Sequence, residues 1–196
     1  MFKLFSATLV ALAVSLATQM PSYAADTASG RAAAYCVKKG GLVQTRIPEY
    51  GTNGGDPLIL SGQADFCQFT SAKDGSQINV LLSTLFTKKP TLAALAYYAE
   101  VPTGDCQGNP ASCYCTLLGG SDLFGGVDAA GGGWVLESDP NDVLETCMFP
   151  DMSSIDSWGL TYHSAGIVRG RNLAKVLRYA NPYAARSKPH VPFKRS

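Results

Sequence analysis

Apolar residues recur along the chain in two similar cycles. Leu92, Leu95, Ala96 and Ala99 fall at positions 0, 3, 4 and 7, and Leu173, Val176, Leu177 and Ala180 repeat that spacing. Such a stripe is the buried face of an amphipathic helix. Thr91 and Asn172, one residue before each stripe, are capping side chains, and Pro102 and Pro182 lie just beyond, where a helix cannot continue. Ahead of the first stripe, residues 42–47, 65–69 and the β-branched and apolar run 78–86 predict strands. Ahead of the second, residues 134–137, 146–149 and the alternating Trp158-Gly159-Leu160-Thr161-Tyr162 do the same. Each cycle opens with a short helix, at 32–39 and 110–118, closed by a Gly-Gly pair. Asn109-Pro110 marks the second start, a cap followed by proline at the first helical position. Residues 51–56 and 125–133 read as loops.

The cycles share residues as well as pattern. Tyr35-Cys36-Val37-Lys38-Lys39-Gly40-Gly41 matches Tyr114-Cys115-Thr116-Leu117-Leu118-Gly119-Gly120 as Tyr-Cys-x3-Gly-Gly. Further on, Cys67-Gln68-Phe69 matches Cys147-Met148-Phe149, and Asp74-Gly75-Ser76-Gln77-Ile78 matches Asp151-Met152-Ser153-Ser154-Ile155. Matches in one order over such a span indicate a duplicated unit. The reading is therefore an α+β fold of two similar small domains, residues 28–99 and 110–181, joined by a linker at 100–109. Each has a short N-terminal helix, a small antiparallel sheet and a C-terminal amphipathic helix.

The N-terminus bears on location. Lys3, the apolar run 4–17 and Ser22-Tyr23-Ala24 form a secretory signal with a cut after Ala24. No later window approaches the ~20 apolar residues of a membrane span. All six cysteines lie after the signal, an even number that suits disulfides in an oxidising compartment, so the protein is expected in the periplasm or secreted. Of 196 residues, 16 are basic and 15 acidic, a balance that offers no general grip on a phosphate backbone and excludes nucleic acid as a partner. The local exception is the tail 182–196, where Arg186, Lys188, Lys194 and Arg195 stand with three prolines and no acid. An arm of that kind orders on a partner and is the candidate partner-binding segment.

Asn109-Pro110-Ala111-Ser112-Cys113-Tyr114-Cys115, the Gly119-Gly120 pair and the segment from Cys147-Met148-Phe149-Pro150-Asp151 to Trp158 together resemble the DUF333 family. These are small, exported, cysteine-containing bacterial domains often labelled haemolysins. The resemblance covers most of the second copy and, more faintly, residues 32–85 of the first. It implies no catalytic residues. The family usually carries a further cysteine just before a tryptophan, where this chain has Ile78 and Ile155; the tryptophan survives only as Trp158, with Leu81 in the first copy. The disulfide set is reduced accordingly. Six cysteines admit fifteen pairings, and the duplication favours Cys36 with Cys67, Cys115 with Cys147, and the remaining Cys106 with Cys113. Each copy then has one staple closing a loop of about thirty residues, a constraint of roughly 3 to 4 kcal/mol for a unit whose core alone is marginal.

Candidate chemistry is sparse. Cys113 and Cys115 are close enough for thiol exchange, but residues two apart on a helix point about 200° apart and suit two different partners. His163-Ser164 lacks the exposed elbow of a hydrolase nucleophile. Asp139-Pro140-Asn141-Asp142 lacks the ligand alternation of a calcium loop and reads as a turn. Trp134, Trp158, Tyr97, Tyr98 and Tyr162 either fill a core or form a binding face. No cofactor and no metal are expected. The sequence indicates a non-enzymatic exported protein that works by contact, as a subunit or accessory of an envelope or surface assembly with a protein partner. The alternatives are a secreted protease inhibitor presenting the loop 51–56 or 125–133, and, behind it, a thiol-disulfide exchange protein.

Overall fold

The computed structural model describes residues 27–122 and 131–184. Helix starts follow the capping side chains. The Thr27 hydroxyl accepts from the Gly30 N–H at 2.9 Å and opens α1 (Ala28–Lys38). Asn109 Oδ1 accepts from the N–H groups of Ala111 and Ser112, at 2.9 and 3.3 Å, and opens α4 (Pro110–Leu117). Both helices are closed by a glycine at positive φ, Gly40 at +80° and Gly119 at +81°. The second glycine of each pair serves packing instead. A Cβ on Gly41 would run into both sulfurs of Cys36–Cys67, and one on Gly120 into both sulfurs of Cys115–Cys147.

Eight strands form one curled antiparallel sheet: β1 (Leu42–Tyr50), β2 (Leu58–Ile59), β3 (Ala64–Thr70), β4 (Gln77–Leu81), β5 (Gly132–Leu136), β6 (Asp139–Leu144), β7 (Thr146–Met148) and β8 (Ser154–Asp156). Their order is β6-β5-β1-β3-β4-β8-β7, with β2 beside β1. The first half of β1, through Arg46, pairs with β3, and from Ile47 onward it pairs with β5. The expected small sheet in each copy is thus corrected: β1 joins β5, and β4 joins β8, so the sheet runs through both copies. An unpaired strand edge must be covered, and here each copy covers the other's.

Val80 pairs with Cys67 on one side and with Ile155 on the other, and Ile155 pairs with Cys147. Val80 and Ile155 therefore face each other and hold the same register position relative to Cys67 and Cys147. This corrects the matching of Ile78 with Ile155. The β3–β4 hairpin is longer than its β7–β8 counterpart, so the register from each cysteine, not the turn, sets equivalence. Asp156 then corresponds to Leu81, and Trp158 to Ser83. The turns remain alike: Gly75 and Met152 both have positive φ, at +71° and +62°, and Asp74 and Asp151 each accept from the backbone N–H of the serine two residues on, at 3.1 Å.

The segments that follow the two hairpins are exchanged. α3 (Leu92–Ala99) starts on the second copy's turn, where the Ala93 N–H donates to Ser153 Oγ at 3.0 Å and the Leu92 N–H to Asp151 Oδ2 at 2.8 Å. Reciprocally, the Gly170 N–H donates to Ser76 Oγ at 3.0 Å. The matching tyrosines do likewise: Tyr35 donates to Val176 O (2.8 Å) and Tyr114 to Val101 O (2.6 Å). One main core results, with Cys67, Val80, Ile155 and Cys147 beneath the helices; Phe66, Trp134 and Leu144 make a smaller one on the sheet's other face.

Four expected elements differ. The run 78–86 divides into β4 and then α2 (Leu82–Phe86). Trp158 to Tyr162 is not a strand but part of α5 (Ser157–Ser164), because Asp156 Oδ1 accepts from the Gly159 N–H at 2.8 Å and caps a helix there. Leu173, Val176 and Leu177 are buried, yet only Leu173–Lys175 makes a single 3-10 turn. The helix stops because the backbone is engaged elsewhere: the Arg178 N–H donates to Leu85 O at 3.1 Å and Val176 O accepts from Tyr35. Residues 139–142 begin β6 through the Leu136–Asp139 pair, and are not the turn that was expected.

Candidate functional site

The cysteines are all bonded: Cys36–Cys67, Cys115–Cys147 and Cys106–Cys113. Among the described residues no thiol is free. Cys113 and Cys115 hold different partners, as their angular separation on α4 requires. The first two bridges lie wholly inside the core, whereas Cys106 and Cys113 are partly exposed.

The other sequence candidates separate in the same way. His163 stacks on Tyr97 with centroids 3.8 Å apart, and its Nε2 lies 3.2 Å from Glu100 Oε1. Burial pushes its pKa down, and Glu100 opposes that shift. Ser164 turns its hydroxyl to Thr161 O at 2.8 Å, so the two neighbours form no nucleophile and base. Tyr97 and Tyr98 are buried, and Trp134 packs on Phe66. Trp158 and Tyr162 reach the surface side by side on α5, 6.0 Å apart, with the Arg169 guanidinium 5.1 Å from the Tyr162 ring. Asp142 meets Arg46 instead of an ion, and among the described residues no group of three or more His, Cys, Asp or Glu could hold a metal. The loop 51–56 folds back, the Gly51 N–H donating to Gly131 O at 2.9 Å. Arg186, Lys188, Lys194 and Arg195 lie outside the described residues, as do the signal segment 1–24 and most of the loop 125–133.

The structure brings together a set of residues that no sequence motif marks. A polar cleft of about 500 Å³ opens between the β4–β8 pair, β6 and the start of α5; Gln77, Asn79, Glu145, Asp156, Trp158 and Arg169 line it. Its wall is fixed by Arg46, whose side chain is fully buried. The guanidinium donates to Asp142 Oδ2 (2.9 Å), to the carbonyls of Trp134 (3.0 Å) and Asp142 (2.9 Å), and to Gln44 Oε1 (2.8 Å), which ties β6 to the bend of β1. A buried guanidinium is tolerable when its donors are taken up in this way.

Asp156 sits at the cleft floor and is only 6% exposed. Burial pushes its carboxyl up to about 6, against the opposing effects of the Gly159 N–H, Arg169 and Asn79. Asp122 nearby is also pushed up to about 6, by burial and then by the charges of Glu145 and Asp156, while the Ser112 hydroxyl, donating to it at 3.1 Å, opposes the rise. Asn79 is 4% exposed, and its Oδ1 accepts no hydrogen bond; Glu145 Oε2 is likewise buried and unpartnered. Unpaired buried acceptors are uncommon and need a cause.

The first copy supplies a comparison. Asp65, Leu81 and Ser83, the counterparts of Glu145, Asp156 and Trp158 in the strand register, line a cleft of about 490 Å³ together with Leu82 and Phe86. A leucine stands where the second copy has a buried carboxylate. The fold itself therefore does not call for the charge.

Fold and site together define an α+β protein with a curled antiparallel sheet, three disulfides and one polar cleft. Disulfides suit an oxidising, exported location, and among the described residues no helix is long and apolar enough to cross a membrane. No family profile, no curated protein and no solved structure matches the chain.

Proposed function

We propose that this is an exported, periplasmic or secreted protein of the DUF333-like kind, a duplication of units 28–99 and 110–181, and that it acts without catalysis as a subunit or accessory of an envelope or surface assembly. The observation that carries the reading is the cleft: polar groups gathered on a stapled frame, with an apolar cleft at the first copy's corresponding residues. The bridges and the exchanged segments hold the frame rigid, and a rigid surface loses little entropy on binding. The basic tail adds a second contact. Gentle crosslinking in the source cells, followed by native-size separation and mass spectrometry, tests this. Recovery in a defined complex larger than the monomer, lost when Arg186, Lys188, Lys194 and Arg195 are replaced by serine, is expected; a monomer under all crosslinking conditions overturns it.

A further inference from the structure

We infer that the cleft floored by Asn79, Glu145 and Asp156 and edged by Trp158 binds a neutral carbohydrate; the inference rests on the contact reading above and names the ligand class of that cleft.

Asn79 Oδ1 and Glu145 Oε2 are buried acceptors, one on β4 and one between β6 and β7. An acceptor withdrawn from water without a donor destabilises the protein, and a ligand that donates there recovers that loss. The ligand must then be a hydrogen-bond donor.

Asp142 is taken by Arg46, and Asp156 faces Arg169 while accepting from the Gly159 N–H. A cationic ligand would find one unopposed carboxylate, that of Glu145, and Arg169 across the cleft. The remaining polar lining is amide and hydroxyl, from Gln77, Asn53, Asn109 and Thr52. Such groups both donate and accept, as sugar hydroxyls do.

Trp158 forms an aromatic edge beside these groups, amphipathic surface of the kind on which the C–H face of a sugar ring packs. A volume of about 500 Å³ falls within the range of small-molecule sites. The apolar cleft of the first copy has Leu81 and Ser83 where this one has Asp156 and Trp158.

Saturation-transfer NMR on the purified protein tests the inference, with cellotriose, maltotriose and chitotriose as probes and spermidine as a cationic comparator. At least one trisaccharide is expected to bind with a Kd of about 1 mM or tighter. Trp158→Ala and Glu145→Ala should each weaken it at least about tenfold, and Ser83→Ala, in the first copy's cleft, should leave it unchanged. Trp158 is partly exposed, so its variant keeps the test valid if the Glu145 variant does not fold. No trisaccharide signal, a signal that both substitutions leave intact, or a response to spermidine alone overturns the inference. A protein recovered in an envelope complex but silent towards all three sugars sinks the carbohydrate inference and leaves the contact reading standing. Sugar binding by a protein that crosslinks to nothing does the reverse.

Discussion

Replacing Asp156 by asparagine should stabilise the protein at neutral pH and leave it unchanged in mild acid. The carboxyl titrates near 3.8 when unfolded and near 6 when folded. Its folded pKa is raised, so above pH 6 the native state holds a charge it disfavours; below about pH 4 both states are neutral and the difference vanishes. At 1.36 kcal/mol per unit, this gap amounts to about 3 kcal/mol at pH 7.5 and about 1 kcal/mol at pH 4.5. Asparagine keeps the cap on Gly159 but sets an NH2 against the Asn79 amide, a loss of about 1 kcal/mol. The net expectation for Asp156→Asn is a gain of about 2 kcal/mol at pH 7.5 and about zero at pH 4.5. Urea unfolding at the two pH values measures it directly through the transition midpoint at constant slope. Asp74 and Asp151, whose pKa values are lowered, contribute stability that is lost only on going below about pH 4, outside this window. A variant no more stable than the parent at pH 7.5, or one whose advantage persists at pH 4.5, would refute the buried-charge account of the cleft.

Three further outcomes follow from the packing. Gly41→Ala and Gly120→Ala should each cost about 1 to 3 kcal/mol in thermal melts, since the added methyl meets a disulfide, while Gly104→Ala, with open space around it, should fall within about 0.5 kcal/mol of the parent. Arg46→Met should cost about 3 kcal/mol by chemical denaturation, the lower end for a broken buried pair because the Asp142 side chain is 39% exposed and rehydrates. Graded thiol reduction followed by alkylation and mass spectrometry should find Cys106 and Cys113 labelled first, because their bridge is partly exposed and the other two are enclosed; simultaneous labelling of all six would contradict the burial described.

The local elements most legible in the sequence were those written in side chains a few residues apart. Thr27 was not among the expected signals, but Thr91, Asn109-Pro110 and the Gly-Gly pairs marked ends of α1, α3 and α4 where the structure has them. The same local logic failed for α5, since three alternating apolar residues fit a strand as well as a helix, and only the Asp156 cap separates the two. It failed again at Leu173, where Asn172 does cap a turn but hydrogen bonds to Leu85 and Tyr35, far away in sequence, claim the backbone.

The cleft was illegible for a different reason. Asn79, Glu145 and Asp156 belong to separate strands and strand ends, and no spacing links them. One signal did exist, the contrast between Asp156 and Leu81, but it requires counting from the cysteines through hairpins of unequal length. The sequence by itself determined the duplicated pattern, the helix caps and the even set of cysteines, because each is set by residues acting at short range or by composition. Only the tertiary structure decided that the two copies share one sheet, exchange their closing segments and place three polar side chains around one cleft, because strand pairing and burial join residues with no fixed separation along the chain.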